Sequence, residues 1–484
     1  MPAETSRPLD MHRWSDYPEL RNCLTELIQE IEAQEGRQRK RAGKDAQRLR
    51  DSVRCLVLDL YVAWKTSPDL EVAIPLGNTY YTKRTRYRAL FIRYQSIKAA
   101  FRGLRDLGYL KVLRTGFNDR VTGVGRVTRI VATEKLIELL TGKARLTLPA
   151  IGGRVDGVET IILRDASKQK KLKEYDDTDE TIAMRSALAR INEHLQRHWV
   201  DLYITDAEFE KLQQRMQADY QKDEREEPFI DFTRRSLVRI FNNENWKEGG
   251  RFYRGWWQSV PKKYRRYVTI NTKRTVEVDY SGLHPTLMYA EVGTALEGDA
   301  YRLPDRPDIP RDLVKTTFNK MVNAKGSVRK PPEFDSYGVG LSWMEFQQAI
   351  AERHKPIARF FNTGHGLRLQ RRDADIAEQV MLRFLEMGYC CLPVHDSFLV
   401  HHGLDAELKQ IMVKEFGLIT GQTIPVTLTE GIEPARGTGL VSSDIEAILN
   451  RDDEYGGYNS RWEDWLKLQI APERSALGPP SHHY

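Results

Sequence analysis

The stretch Thr275-Val-Glu-Val-Asp279-Tyr280-Ser281 decides how this chain is read. Val276 and Val278 alternate with Glu277 and Asp279, the period of two that a strand with one buried face requires. A turn starts at Ser281-Gly282, so Asp279 stands at a strand end, where a carboxylate can leave the sheet. Far along the chain a second acid recurs in a similar setting, Leu392-Pro-Val-His395-Asp396-Ser397-Phe-Leu-Val400. The apolar runs 392–394 and 398–400 flank Asp396, the pattern of a hairpin with its acid at the tip. Two carboxylates delivered by two strands can together hold divalent cations. A hydrolytic relay of His395, Asp396 and Ser397 is excluded, because neighbours on a strand alternate faces.

The rest of the composition bounds the answer. With 484 residues, 40% hydrophobic and 10% aromatic, the chain is globular and long enough for two or three domains. No apolar run reaches the roughly 18 residues of a membrane span. The start, Met1-Pro-Ala-Glu-Thr-Ser6, carries no secretory leader. Cys23, Cys55, Cys390 and Cys391 form no C-x-x-C pair, so neither a zinc knuckle nor a disulfide framework is expected, and a cytoplasmic setting (cytosol or nucleoid of a bacterium) fits. The net charge of +7 is modest. Its clustering at Arg37-Gln-Arg-Lys-Arg41, Lys83-Arg-Thr-Arg86 and Lys262-Lys-Tyr-Arg-Arg266 suits a polyanion partner, with solvated faces as the bland alternative.

Outward from the two acids, five segments follow. Residues 1–50 are helical and basic, with Leu20, Leu24, Leu27 and Ile31 at helical spacing. Residues 51–145 form a small domain. An apolar helix over 53–64 is followed by a short strand at 71–75. An amphipathic helix then runs from a Ser96 N-cap to a Gly108 stop, ahead of two strands near 109–113 and 127–132. This order resembles a winged helix-turn-helix, which implies that the helix enters a DNA groove and that Arg84, Arg86, Lys98 and Arg102 touch DNA. A protein-contact version of the same motif is the alternative. Residues 146–245, with a short strand at 159–163 and two long polar helices, form a helical connector or thumb. Residues 246–438 hold both acids. Residues 439–484 are a loose tail with one amphipathic helix around 462–468.

Between the acids lies Arg311-Asp-Leu-Val-Lys315-Thr-Thr-Phe318-Asn319-Lys-Met-Val-Asn323. Positions 311, 315, 319 and 323 step by four and share one helix face, and its cations can neutralise phosphates. Alone, a solvated basic stripe is the better reading. Before the first acid stand Gly250-Arg251, Gln258 and Arg265-Arg266, among Trp256 and Trp257. Before the second stands Leu369-Gln370-Arg-Arg-Asp-Ala374-Asp375.

In this order, over residues 250–400, the motifs resemble the core of family A (DNA polymerase I-like) polymerases and the related single-subunit RNA polymerases. The fold that follows is α+β: a right-hand polymerase palm of antiparallel sheet, with reduced helical fingers. The resemblance implies two Mg²⁺ ions, or Mn²⁺ in their place, on Asp279 and Asp396, with Arg311 and Lys315 as catalytic phosphate clamps. It implies nucleotide contacts from Tyr280, Ser281, His284, Asn319 and Asn323, and primer-template contacts from Arg251, Gln258, Gln370 and His395. Asp375 would orient local structure. Three departures bear on the sugar. His284 stands where the family has a ribose-excluding Glu, Asn323 where it has a Tyr, and Ser397 gives the His-Asp-Ser form of the RNA polymerases. Phe318 is one residue from the family's aromatic position and could serve in its place.

The expected activity is template-directed nucleotidyl transfer. The first choice is a DNA polymerase of a phage, plasmid or mobile element, able to prime its own strands. An RNA polymerase or primase is the second. A catalytically inactive DNA-binding replication initiator is the third. The expected partners are a DNA primer-template, duplex DNA at the winged domain, nucleoside triphosphates and replication accessory proteins.

Overall fold

The computed structural model describes residues 6–82, 85–89, 91–118, 125–154, 157–223, 227–332, 334–429 and 454–470. Arg84, the tip of the turn between the two strands near 109–132, and most of the stretch from 439 onward lie outside the described residues. The architecture is α+β, with helices around small, mainly antiparallel sheets. Among the described residues no helix is long and apolar enough to cross a membrane. All four cysteines are buried and free.

One apolar core gathers residues 9–151. Helix α1 (Pro18–Glu35) buries Leu20, Leu24, Leu27 and Ile31, the stripe its spacing predicts. It packs beside α2 (Gly43–Thr66). Strand β1 (Glu71–Ile74), α3 (Asn78–Thr82), α4 (Tyr94–Asp106), β2 (Leu110–Arg114) and β3 (Thr128–Ala132) follow. β3 pairs antiparallel with both β1 and β2. The start of α4 differs from expectation. Arg93 is the N-cap, and Ser96 sits at the third helical position, where its hydroxyl accepts the Arg93 N–H at 3.1 Å. The helix stops as expected, with Gly108 at φ 78° just beyond it.

A second core runs from Ile161 to Ile424. Its elements are β4 (Ile161–Leu163), α5 (Asp179–Gln196), β5 (Val200–Leu202), α6 (Asp206–Lys222), β6 (Val238–Asn242), β7 (Asn245–Tyr253), β8 (Val268–Ile270) and β9 (Lys273–Tyr280). After these come α7 (Leu283–Glu291), α8 (Arg311–Asn323), α9 (Gly366–Glu386), β10 (Leu392–Val394), β11 (Ser397–His401), α10 (Asp405–Thr420) and β12 (Val426–Thr429). The main sheet is antiparallel in the order β5-β8-β9-β11-β10, and β12 also pairs with β9. Strand β5 comes from the stretch read as a connector, yet it forms an edge of this sheet. Trp256 and Trp257 are core residues, at 2% and 0% exposure.

The terminal helix α11 (Gly456–Ile470) is docked rather than loose. Arg461 grips Asp201 through two bonds of 2.8 Å, Tyr458 and Trp462 pack on Trp199, and Leu468 enters the first core. Its aromatic face finds apolar partners, so burial holds it down.

Candidate active site

The register of the sheet brings the two acids together. In the β9–β11 pair Asp279 stands opposite Ser397, and Val394 pairs with Ser397 to close a two-residue turn of His395 and Asp396. His395 adopts φ 58°, a left-handed conformation that a residue other than glycine holds only where its surroundings enforce it. Asp279 Oδ1 is buried and has no hydrogen-bond partner. Burial, followed by the charges of Asp396 and Glu277, pushes the Asp279 carboxyl up to about 7, and Lys262 and Lys315 only partly offset this. An unsatisfied buried oxygen costs roughly 1–3 kcal/mol, so a native fold that keeps one calls for an explanation.

Strand alternation sorts the neighbours. Glu277 shares the face of Asp279 but is neutralised. Arg265 Nη2 lies 2.8 Å from its Oε1, and the Ser397 hydroxyl donates to the same oxygen at 2.7 Å. Tyr280 points the other way. Its hydroxyl donates to the Met412 carbonyl at 2.9 Å in the core, beside Phe416, which corrects the expected nucleotide contact. The Val276, Val278, Tyr280 alternation explains the burial. Ser281 stays at the rim, its hydroxyl 2.6 Å from that of Thr427.

Helix α8 presents Lys315, whose charge reaches Asp279, and Arg311 one turn before it. Arg311 Nε donates to Asp299 Oδ2 at 2.6 Å, and both cations lie over the Tyr301 ring. Phe318 is wholly buried against Tyr301, His354 and Phe361, so its expected role as a substitute stacking residue is corrected. Asn323 donates to the Asn319 carbonyl at 2.8 Å, and its Oδ1 lies 2.0 Å from where a Cβ on Gly366 would stand. Asn323 is exposed and lies at the close approach of α8 and α9. Asn319 is half-buried on the same helix.

The expected primer-template residues divide. Arg251 Nε lies 2.9 Å from Asp373 Oδ2, and His284 Nε2 lies 3.1 Å from the same oxygen and 3.2 Å from Arg251. Both side chains thus tie the sheet side of the site to α9. The Gln258 amide donates to the Phe252 and Pro393 carbonyls and accepts the Gly255 N–H, leaving it no free hydrogen for nucleic acid; that contact is corrected. It braces the strand that leads to Asp396. Gln370 is half-buried on α9 and makes no side-chain hydrogen bond with the described residues. The His395 ring stands 6.0 Å from that of Tyr253, and burial followed by Arg251 holds its basicity below the usual histidine range. Asp375 is clamped by Arg239 and Arg371, each at 2.8 Å.

In the first core, Arg86 is tied internally. It bonds Glu159 at 3.1 Å and Asp177 at 3.0 Å and lies 3.6 Å over the Tyr175 ring, which corrects its expected DNA contact. Lys98 reaches the Tyr94 hydroxyl at 3.1 Å, and Arg102 is exposed on α4. Arg84 lies outside the described residues.

Sequence reasoning missed Glu277, Asp299, Tyr301 and Asp373. Glu277 was legible, two residues from Asp279 on one strand face. The other three come from a loop and a helix whose approach no local pattern announces.

Among the described residues no group of three His, Cys, Asp or Glu could hold a metal ion, and the expected donors are the pair Asp279 and Asp396. That pair suits Mg²⁺, which commonly takes one or two carboxylates and completes its shell with water and substrate phosphates. The orphan Asp279 oxygen is the observation that fits such an ion.

No family model matches the chain. No curated protein matches it. Among solved structures, it is similar to the polymerase domain of Pol1 from M. smegmatis in complex with DNA primer-template and dNTP. The identity is 15% and the TM-score 0.27, over 40% of this chain and 47% of that one. The chain thus spans about half the length of that structure. A likeness that weak transfers neither fold nor activity, and the side chains carry the reading.

Proposed function

We propose that this chain is a template-directed nucleotidyltransferase with its reaction centre at Asp279 and Asp396. The observation that carries this is the buried, partnerless Asp279 oxygen beside a second strand-end carboxylate, in reach of the charges of Lys262 and Lys315. Asp279 and Asp396 would hold two Mg²⁺ ions, which supply activation of an attacking 3′-hydroxyl and charge neutralisation of a triphosphate.

The chain's own residues do the remaining work. With its carboxyl pushed up to about 7, Asp279 is only partly ionised near neutrality in the metal-free protein, and the protonated fraction must lose its proton to act as a ligand. Lys315 and Arg311 neutralise phosphate charge and the charge that develops on departing pyrophosphate. The Gln258 and Trp257 bonds to the Pro393 carbonyl fix the strand that presents Asp396. Deoxynucleotides are the first choice of substrate. Ribonucleotides are the second, favoured by His284, whose Asp373 contact keeps an imidazole where an acid would exclude ribose.

The test is extension of a primed template with Mg²⁺ and either nucleotide class, beside Asp279→Asn and Asp396→Asn. Extension by the intact protein and loss in both variants supports the reading. Extension that survives in both variants overturns the assignment of the centre. DNA binding without synthesis by the intact protein replaces it with a replication initiator.

A further inference from the structure

The loop before α8 places Asp299 against Arg311 and the Tyr301 ring beneath both Arg311 and Lys315. Asp299 Oδ2 accepts from Arg311 Nε at 2.6 Å, and Oδ1 accepts the Tyr301 N–H at 2.9 Å. The Tyr301 ring is buried and meets Phe318 edge-on at 5.7 Å, so the core holds it still. Arg311 lies 5.0 Å and Lys315 5.8 Å from the ring centroid, which adds a cation–π attraction to both.

Asp299 engages Arg311 only through Nε. The two Nη nitrogens make no hydrogen bond with the described residues, and Arg311 borders a cavity of about 530 Å³. That volume lies in the ordinary range of small-ligand sites. Ser281 and Gly282, just past Asp279, border the same cavity, with Asp299, Tyr301 and Thr423. The cavity wall therefore includes both the turn that follows Asp279 and the Arg311 guanidinium. A carboxylate beside a phosphate seat repels on its own. Here its two hydrogen bonds and the charges of Arg311 and Arg302 offset that repulsion, and its remaining effect is on direction, since a guanidinium anchored at Nε presents its outer fork to one side.

We propose that Asp299 is a positioning residue that aims the Arg311 guanidinium into this cavity, toward the phosphates already assigned to that arginine, with Tyr301 supporting both cations. This rests on the nucleotidyltransferase reading above. Asp299 acts through Arg311. The rival is a latch, in which Asp299 competes with phosphate for Arg311, and it has the opposite sign.

Steady-state extension by the full chain distinguishes them. Positioning predicts that Asp299→Ala raises the KM for nucleotide about tenfold and leaves the KM for primer-template unchanged. Asp299→Asn, which keeps an acceptor for Nε, is expected to be milder. In an Arg311→Ala background, Asp299→Ala is expected to add nothing, because the two act as one unit. A lowered KM, an additive double variant, or a parallel rise in the KM for primer-template overturns the proposal. Melting temperatures of all variants identify any that misfold, and the Asn variant then carries the comparison. Calorimetric titration of the full chain with inorganic tripolyphosphate separates this inference from the reading it rests on. Binding that weakens about tenfold in Asp299→Ala supports the seat even where no nucleotide is incorporated, whereas no binding to the intact chain overturns it.

Discussion

Where α9 meets β6 and β7 the acids Asp373, Asp375 and Glu378 each have a cation, whereas at the β9–β11 tip one acid oxygen has no hydrogen-bond partner among the described residues. At the first contact Asp373 is held by Arg251, Asp375 by Arg239 and Arg371, and Glu378 by Arg239. At the tip Asp279 Oδ1 is buried and orphaned, beside the like charge of Asp396. Both regions belong to one core and use the same residue type. The contact is complete in the protein alone and reads as structure. The tip is short of positive charge and calls for completion from outside.

The largest effect that tests this contrast is at the tip. Asp279→Asn or Asp396→Asn removes a charge that a bound cation needs. The expected loss of several kcal/mol of transition-state stabilisation is on the order of 10³–10⁴ in extension rate. The same Asp279→Asn change is expected to raise the melting temperature of the metal-free protein at pH 8, because it relieves repulsion. A variant that loses activity and stability together would make the tip one more structural acid.

The contact region should behave oppositely. Arg239 is fully buried and serves two acids, so Arg239→Met leaves Asp375 and Glu378 without it. Breaking a buried pair from one side costs about 3–5 kcal/mol, readable as a lower midpoint in urea. A loss under 1 kcal/mol would mean that the two regions do not differ in kind.

A third effect is a pH dependence. The Asp279 carboxyl titrates near 7 in the fold and near 3.9 in the unfolded chain, so the folded state holds a proton that the unfolded state has released. Its contribution is present below about pH 4 and is lost as pH rises through 7, a decline on the order of 2–4 kcal/mol at most. Melting curves of the metal-free protein from pH 5.5 to 8.5 are expected to show this decline, and Asp279→Asn to flatten it. Added Mg²⁺ is expected to stabilise more at pH 8.5 than at pH 5.5, since cation and proton compete for one carboxylate. Equal stabilisation at both pH values would count against Asp279 as a ligand.

Local patterns made much of this legible. The four-residue step from Arg311 to Asn323 falls on one helix, α8, as that spacing predicts, and the flanking apolar runs predicted the hairpin at Asp396. The alternation of Val276 and Val278 also implied a buried Tyr280, and only the family resemblance argued otherwise. Long-range pairing was not legible. Arg86 meets acids more than seventy positions away, and Asn323 meets Gly366 across two helices. Asp299 and Tyr301 come from a loop with no period, so their place under α8 follows from tertiary packing alone.

The smallest effect carries the contrast into the first core. Arg86 has three acids and a ring, while Arg102, exposed on α4, has no acid partner among the described residues. If a charge left without a partner marks a surface meant for another molecule, the two arginines should separate in a salt titration of duplex binding. Each phosphate contact contributes about 0.9 to the slope of log K against log salt. Arg102→Ala is therefore expected to lower the slope by about one and weaken binding a few-fold at about 0.1 M salt. Arg86→Ala should leave the slope alone and lower the melting temperature, since its guanidinium joins elements of both cores. Fluorescence anisotropy on an arbitrary duplex reads the slope and a thermal melt reads the rest. Equal slopes for both variants and the intact chain would leave α4 as a protein-contact helix, and pairing would then predict function only at the acid tip.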